Sequence, residues 1–366
     1  MQPMRMVIAF VGITTSAAAE DVSGGLSVDQ YWIGMQTATN QIVPRRTLLL
    51  NGGGIGQILP PHDALNSDHE GTVADGNGSV DQSILNAVNL LIASEAVITS
   101  VDQTMLGDQI ARNVVSGLTP DTLTNTNQIG ENIANIVIAD QVDAVRQSFG
   151  PGANQIVENL VSNPSASLNG IVQTGRNTAN VVLANVSIGS GEQLFPSDTV
   201  QRVDNLTHLD YGTALPNGIE QHGTNIGNVL MADDVRNVAR VFNGSQIVRN
   251  TVTTQNGHTP DRVNQSGLNI ANFVSAKRVE GLMQVSNGNQ TVKNHLQGAT
   301  LADMSSALSE YTHSSTNIVN LLDIQNTDRP QSDTTVRAAQ TANQTQTVQT
   351  RLGTHSQVGN AATINR

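Results

Sequence analysis

A short amide-rich pattern recurs six times along this chain, and it constrains the fold more than any other feature. Its core is Gln-x-x-x-Asn-x-x-Asn followed by two aliphatic residues, as in Gln128-Ile-Gly-Glu-Asn132-Ile-Ala-Asn135-Ile-Val. The leading Asn residues of successive copies are separated by 46, 45, 48, 44 and 48 positions. Self-similarity at a fixed period is the signature of an architecture in which each unit stacks on the next. We call this pattern the first element; its amide residues are Gln82, Asn86, Asn89, Gln128, Asn132, Asn135, Gln173, Asn177, Asn180, Gln221, Asn225, Asn228, Gln265, Asn269, Asn272, Asn317 and Asn320.

A second Gln-x-x-x-Asn pattern follows each first element after 25 to 28 residues. Each unit of roughly 46 residues therefore holds two amide elements separated by turn sequences such as Gly150-Pro-Gly and Asn243-Gly. The sixth copy is degraded and is aligned here as Gln340-Thr-Ala-Asn-Gln344. The amide residues of this second element are Gln109, Asn113, Gln155, Asn159, Gln201, Asn205, Gln246, Asn250, Gln290 and Asn294.

Residues two apart on a strand share a face, so the Gln, Gly and first Asn of the first element would point to one side. If copies stack in register at about 4.8 Å, each amide can donate to one neighbouring layer and accept from the other. The sequence therefore predicts an all-β repeat, a β-solenoid or amyloid-like stack of about six layers, with the amides as a structural ladder. An outward row of Arg112, Glu158, Asp204, Arg249, Lys293 and Asn343 is expected on the solvent side of the second element.

A helical repeat is the alternative. Residues 232–241 and 275–282 have the three-residue apolar spacing that an α-solenoid could use. Against it, the recurring positions hold Asn, Gly, Thr and Val, which are poor helix formers. Stacked strands are therefore favoured.

The first elements resemble the curlin repeats of bacterial curli, functional amyloids with a Gln-x-Gly-x-x-Asn-x-Ala pattern. The similar segments begin at Gln128, Gln173 and Gln265, although Asn comes one residue earlier and the period is about twice as long. The resemblance covers residues 82 to 345 as a pattern and extends to the amyloids of pseudomonad biofilms. It implies a secreted, self-assembling matrix fibre, exported through an outer-membrane channel and aided by a nucleating partner.

The ends of the chain differ from the repeats. Residues 1–19 read as a signal peptide, with Arg5, a short apolar stretch and an Ala17-Ala-Ala cleavage site. Residues 20–80 form a divergent segment or cap, in which Gln36-Thr-Ala-Thr-Asn40 echoes the second element. Residues 81–345 hold the six repeats, and residues 346–366 are a Thr/Gln/Asn-rich half-copy containing Gln357 and Asn360.

Composition excludes several classes of function. Aromatic residues make up 2% of the chain and Cys is absent, so neither an aromatic core nor disulfides can hold it together. A net charge of -12 argues against nucleic acid as a partner, and no segment has the apolar length of a membrane helix.

Three short motifs hint at other chemistry, but each has a simpler interpretation. Gly52–Gly56 is favoured as a flexible turn over a dinucleotide loop, and residues 75–79 lack the later ligands of a calcium loop. The cluster His62, Asp63, Asp68, His69 and Glu70 is favoured as a solvated acidic turn. We therefore assign no catalytic, cofactor-binding or metal residues and expect no cofactor.

The expected function is that of a structural subunit of an extracellular fibre in a biofilm matrix or in surface adhesion, with itself as partner. The alternative is a monomeric secreted β-solenoid that acts as an adhesin or binding module and whose caps block end-to-end growth.

Overall fold

The computed structural model describes residues 26–42, 55–59, 65–70, 79–116, 125–162, 170–209, 217–254, 260, 262–297, 310–325, 336–342, 346–349 and 354–365. Its side chains are described over 26–40, 81–116, 125–162, 170–209, 217–254, 260, 262–296 and 312–324. The predicted signal peptide at 1–19 lies outside these residues.

Nineteen strands make up the described chain, and they belong to two sheets. The larger sheet contains β1 (Leu26–Trp32), β3 (Ile55–Leu59), β5 (Ser79–Met105), β7 (Asn125–Phe149), β9 (Gly170–Phe195), β11 (Gly218–Arg236), β12 (Val238–Phe242), β14 (Arg262–Ser286), β16 (Glu310–Gln325), β17 (Val336–Ala342) and β19 (Thr354–Asn365). The smaller sheet contains β2 (Met35–Ile42), β4 (Leu65–Glu70), β6 (Asp108–Ser116), β8 (Asn154–Ser162), β10 (Val200–Leu209), β13 (Ser245–Thr254), β15 (Asn289–Gln297) and β18 (Gln346–Gln349).

All of these strand pairings are parallel, and those between the six repeats join equivalent residues. Asn132, for example, is in register with Asn86 on one side and Asn177 on the other. The fold is therefore an all-β solenoid in which the described residues form six full layers, with the partial layers of β1 to β4 at one end and β19 at the other, and the α-solenoid alternative is wrong. The segments with helical spacing, 232–241 and 275–282, lie in β11, β12 and β14. Their apolar residues face a core between strands, which requires no helical period.

Each layer folds back on itself as an arch. The first element, at the start of a long strand such as β7, faces the second element of the same layer on β8. Across this arch Asn132 Nδ2 donates to Ile156 O at 2.9 Å, and Gln128 Nε2 donates to Leu160 O at 3.1 Å. The later part of the long strand, which we call the middle element, folds against the residues that follow the second Asn: Gln147 Nε2 donates to Asn135 O at 2.7 Å. An aliphatic core that includes Val137, Val142 and Val145 fills this second fold.

The corner between the two folds is the second Asn of the pattern. Asn89, Asn135 and Asn180 have φ of 52°, 56° and 50°. Asn tolerates the left-handed region better than other residues with a side chain, because its short polar group can hydrogen-bond locally. In these three layers Asn therefore has a backbone reason as well as a ladder reason, whereas Asn228, Asn272 and Asn320 do not have a positive φ and keep only the ladder reason.

Glycine in the first element makes room for valine in the second. A Cβ at Gly130, Gly175, Gly223 or Gly267 would lie 2.2 to 2.4 Å from the Cγ1 of Val157, Val203, Val248 or Val292, respectively. In the first full layer the large residue is in the first element and the small residue is in the second: Ile84 takes the position of Gly130, and Ala111 takes that of Val157. Ile84 packs in one cluster with Ala38 and Ala111. The arch therefore holds one large and one small residue at this level in each of these layers, which close packing requires.

The scarce aromatic residues are concentrated in one row near the turn between the middle and second elements. The rings of Phe149, Phe195 and Phe242 stack with centroids 4.7 and 4.6 Å apart. Met105 and Trp32 extend the same cluster toward the N-terminal layers. Small residues face this row: a Cβ on Gly227 would approach the Phe242 ring to 3.1 Å.

Two alignments made from the sequence are wrong. Gln340 is in register with Gln284 of the middle element, and the second element of the last repeat begins at Gln346, in register with Gln290. The residue in register with Lys293 is consequently Gln349, not Asn343. The segment predicted as a turn at 52–56 also differs, since Ile55 and Gly56 begin β3, in which Gln57 is in register with Gln82.

Candidate functional site

The first-element and second-element amides form three continuous rows of Asn side chains. In the row through Asn86, Asn132, Asn177, Asn225, Asn269 and Asn317, each Nδ2 lies 2.8 to 2.9 Å from the next Oδ1. The corner row through Asn89, Asn135, Asn180, Asn228, Asn272 and Asn320 has spacings of 2.6 to 2.9 Å. The second-element row runs from Asn40 through Asn113, Asn159, Asn205 and Asn250 to Asn294.

Gln side chains form parallel rows. The first-element row joins Gln82, Gln128, Gln173, Gln221 and Gln265 at 2.7 to 2.9 Å. The second-element row joins Gln36, Gln109, Gln155, Gln201, Gln246 and Gln290 at 2.6 to 3.1 Å. The structure thus places every predicted ladder residue in a row with its equivalents.

The two kinds of row donate in opposite directions along the stack. Asn132 donates to Asn177, toward the C-terminal layers, whereas Gln173 donates to Gln128, toward the N-terminal layers. Every Asn and Gln step of the rows above follows the same rule. The orientation within the rows is fixed because the amide NH₂ that donates to the next layer also donates to a backbone carbonyl, as Asn177 does to Arg202 O at 3.0 Å. The rows therefore give the stack chemically distinct ends.

The ends of the rows leave buried amide atoms without partners. At the N-terminal end Asn40 Oδ1 and Asn86 Oδ1 accept no hydrogen bond, although Asn40 is 1% exposed and Asn86 is fully buried. Toward the C-terminal end Asn317 Nδ2, one level inside β19, donates none, and Gln265 Oε1, at the level where His313 replaces the next Gln, accepts none. An unsatisfied buried polar atom costs about 1 to 3 kcal/mol, so each stack end could gain by meeting a matching partner.

A third Gln row, on the middle element, was missed by the sequence analysis. Gln30, Gln103, Gln147 and Gln193 are joined by amide hydrogen bonds of 2.6 to 2.8 Å. The signal was a Gln two residues before Met105, Phe149 and Phe195, repeated at the ladder period. No Asn stands four residues after these Gln residues, so this row does not share the Gln-x-x-x-Asn pattern of the first and second elements.

Arg240 interrupts this third row. Its Nε donates to Gln193 Oε1 at 2.9 Å, but neither Nη1 nor Nη2 has a hydrogen-bond partner, and the side chain is fully buried. Burial lowers the pKa of the guanidinium well below its usual value, since no carboxylate offsets the lost hydration. The third row therefore lacks its amide hydrogen bonds to neighbouring carbonyls at this layer.

The outward charged row is more balanced than the sequence suggested. Glu158 and Asp204 are in register as predicted, but Arg202 bridges them, with its Nη2 2.9 Å from Glu158 Oε1 and its Nε 3.0 Å from Asp204 Oδ2. Burial raises the pKa of Asp204, and the charges of Arg202 and then Arg249 oppose the increase. Lys293 extends the row next to Arg249, as predicted.

Two histidines occupy repeat positions. His313 replaces the Gln of the first-element row and is 1% exposed. Burial, followed by the charge of His295, lowers its pKa. His222 lies in an outward position, where its Nδ1 is 2.7 Å from Ser266 Oγ.

The motifs considered for other chemistry lie mostly outside the described residues. These are residues 52–54, His62, Asp63 and residues 75–78; Asp68, His69 and Glu70 lie in β4, of which only the backbone is described. Where side chains are described, no three His, Asp or Glu residues are grouped as metal ligands would be. The described residues also form no helix of the length and apolarity that crossing a bilayer requires.

The chain matches no protein-family model, and no curated protein or solved structure is significantly similar to it. Functional inference therefore rests on the stack itself.

Proposed function

We propose that this protein is a secreted structural subunit that assembles end to end into an extracellular fibre. The observation that carries the proposal is the pair of unlike stack ends. Next to the outermost strands at the N-terminal end, β3 and β4, lie the unpaired acceptors of Asn86 and Asn40, and next to the outermost strand at the C-terminal end, β19, lies the unpaired donor of Asn317. A further copy in register would continue the rows at the same spacing, because parallel strands already join equivalent residues at every internal step.

The polarity of the rows favours head-to-tail assembly. Two N-terminal ends would bring acceptor to acceptor in the Asn rows and donor to donor in the Gln rows, whereas unlike ends bring donor to acceptor in both. Charge acts in the same direction: residues 20–116 contain 3 Lys+Arg and 11 Asp+Glu, while residues 262–366 contain 8 and 6. Unlike ends therefore attract, and salt should weaken the attraction.

Secretion is part of the proposal because residues 1–19 have the pattern of a leader peptide. The curlin-like pattern extends it to a biofilm matrix or an adhesive surface layer. An outer-membrane channel and a nucleating partner are predictions that follow from that resemblance.

The direct test uses protein beginning at Glu20, purified in denaturant and transferred to buffer. Electron microscopy should show unbranched fibres, and fibre diffraction should show a meridional reflection near 4.8 Å. Assembly should be slower at high salt. Protein that stays monomeric when seeded, with no such reflection, would contradict the proposal and favour the capped binding module.

A further inference from the structure

The N-terminal end of the stack is covered by two strands that do not continue the Asn rows, although Gln57 on β3 is in register with Gln82. β1 and β2 continue it without a break: Gln30 is in register with Gln103, and Gln36 and Asn40 are in register with Gln109 and Asn113. β3 and β4 come next in the chain. β3 pairs with the outer edge of β5, and β4 pairs with the outer edge of β2. They pair with the edge but supply no matching Asn.

The mismatch is visible in both strands. β3 ends at Leu59, opposite Ile84, and so stops two residues short of Asn86. The next residues in the sequence are Pro60 and Pro61, which have no N–H to continue a sheet. In β4 the register slips between Thr37 and Thr39, and His69 is opposite Asn40. Asn40 Oδ1 and Asn86 Oδ1, the two buried acceptors without partners, lie under this mismatch.

In the column formed by the middle elements, no described strand lies beyond β1 at the same end. β1 is the terminal strand of the larger sheet, and Gln30 donates only to Leu90 O, whereas Gln103 donates to three oxygens. Exposed apolar side chains lie beside this edge: Tyr31, Ile33 and Met35 are 58%, 76% and 59% exposed.

We propose that β3 and β4 form a displaceable cap, and that its competitor is the C-terminal layer of a second copy of this chain. This inference rests on the proposed function and assigns the site and regulation of growth. The C-terminal layer presents an amide residue in each column: Gln340 on β17, Gln346 on β18, and Gln357 with Asn360 on β19. β17 of the second copy can pair first with the edge of β1. β18 then replaces β4 on β2, and β19 replaces β3 on β5.

The other layers show how to remove the cap without cutting the stack. β6 is joined to β7 by residues 117–124, and β8 to β9 by residues 163–169. Replacing residues 43–78 with a copy of residues 117–124 would join β2 directly to β5 by a connection of the length used elsewhere. The variant keeps β1, β2 and all six full layers.

The opposite perturbation strengthens the cap. His69→Asn places Asn at the position in register with Asn40, so that the Asn row has a residue of its own type at the next level. One hydrogen bond is worth about 1 kcal/mol net, which corresponds to about a fivefold effect. Asp68→Asn is the matched control, because it introduces the same amide opposite Thr39, outside the ladder.

The experiment measures the lag time of fibre formation by thioflavin fluorescence for these variants and the wild type. We expect the cap replacement to shorten the lag several-fold, His69→Asn to lengthen it about fivefold, and Asp68→Asn to stay near wild type. Any other order of lag times overturns the cap. If the wild type forms fibres and the replacement changes nothing, the cap inference fails while the proposed function stands. If neither forms fibres when seeded, both fail.

Discussion

Arg240 is the sharpest test of whether the amide rows stabilise this fold. At the equivalent level of the preceding layer, Gln193 Nε2 donates to Gln147 Oε1, Asn180 O and Val229 O at 2.7, 2.6 and 3.2 Å. Arg240 makes one hydrogen bond and leaves both Nη atoms unpaired in a fully buried position. Replacing it with Gln should therefore stabilise the protein.

The size of the effect follows from the contacts. Gln at 240 would keep the bond to Gln193 and add up to two bonds to carbonyls, worth about 1 kcal/mol each. It would also remove an uncompensated buried charge, whose cost is several kcal/mol. We expect Arg240→Gln to raise the free energy of unfolding by about 3 to 5 kcal/mol. Arg240→Met removes the charge but cannot form the row, so it should recover only part of this gain.

The assay is urea unfolding of monomeric protein at low concentration, followed by circular dichroism in the strand band. Arg249→Gln is the control, because the Arg249 side chain is 44% exposed in the outward row, and it should change stability by no more than about 0.5 kcal/mol. Equal or lower stability of Arg240→Gln would refute the view that the third row is a ladder that Arg240 interrupts.

Three further predictions test other parts of the stack. Asn177→Leu should slow assembly and destabilise the monomer by about 3 kcal/mol, because it leaves amides in two neighbouring layers unpaired. The control Arg176→Ala should have little effect on assembly or on stability. Equal effects of the two variants would count against the assignment of Asn177 to the inward face. Gly175→Ala should lower the free energy of unfolding in urea by about 1 to 3 kcal/mol, since its Cβ would meet Val203 Cγ1 at 2.2 Å. The double variant with Val203→Ala should recover most of this loss, whereas additive losses would contradict the packing of Gly175 against Val203. His313 is held neutral in the folded state because burial lowers its pKa. Its contribution to the free energy of unfolding is therefore present above the ordinary His pKa of about 6.5 and is lost as the pH falls through the pKa of the folded state. His313→Gln should remove this pH dependence, as measured by urea unfolding between pH 7.5 and 5.

Much of this architecture can be predicted from the sequence, because each amide row needs the same residue type at the same position of successive repeats. Asn132 and Asn135 can be aligned with their equivalents from the amino-acid sequence alone, since a ladder position tolerates few other side chains and the period is steady. The strand assignment follows from the same residues, which are poor helix formers. The six layers are confirmed by the register.

Other features depend on contacts between segments that no single repeat reveals. The middle-element row was missed because Arg240 replaces one of its Gln residues and its neighbours vary from Met105 to Phe149. The misalignment of Gln340 has the same origin, because a repeat with only two amide columns leaves this Gln no place except the second element. The exchange of sizes between Ile84 and Ala111 involves both faces of the arch, and the unpaired amides of Asn40 and Asn86 appear only where a row ends.

The opposed directions of the Asn and Gln rows have an electrostatic consequence for a growing stack. An α-helix sums its peptide dipoles, so charge of opposite sign accumulates at its two ends. Here three Asn rows point one way and three Gln rows the other, and parallel strands contribute little net dipole of their own. The side-chain dipoles therefore cancel within each layer, and the field at the tip does not grow with length. A long fibre should bind its next subunit as tightly as a short one does.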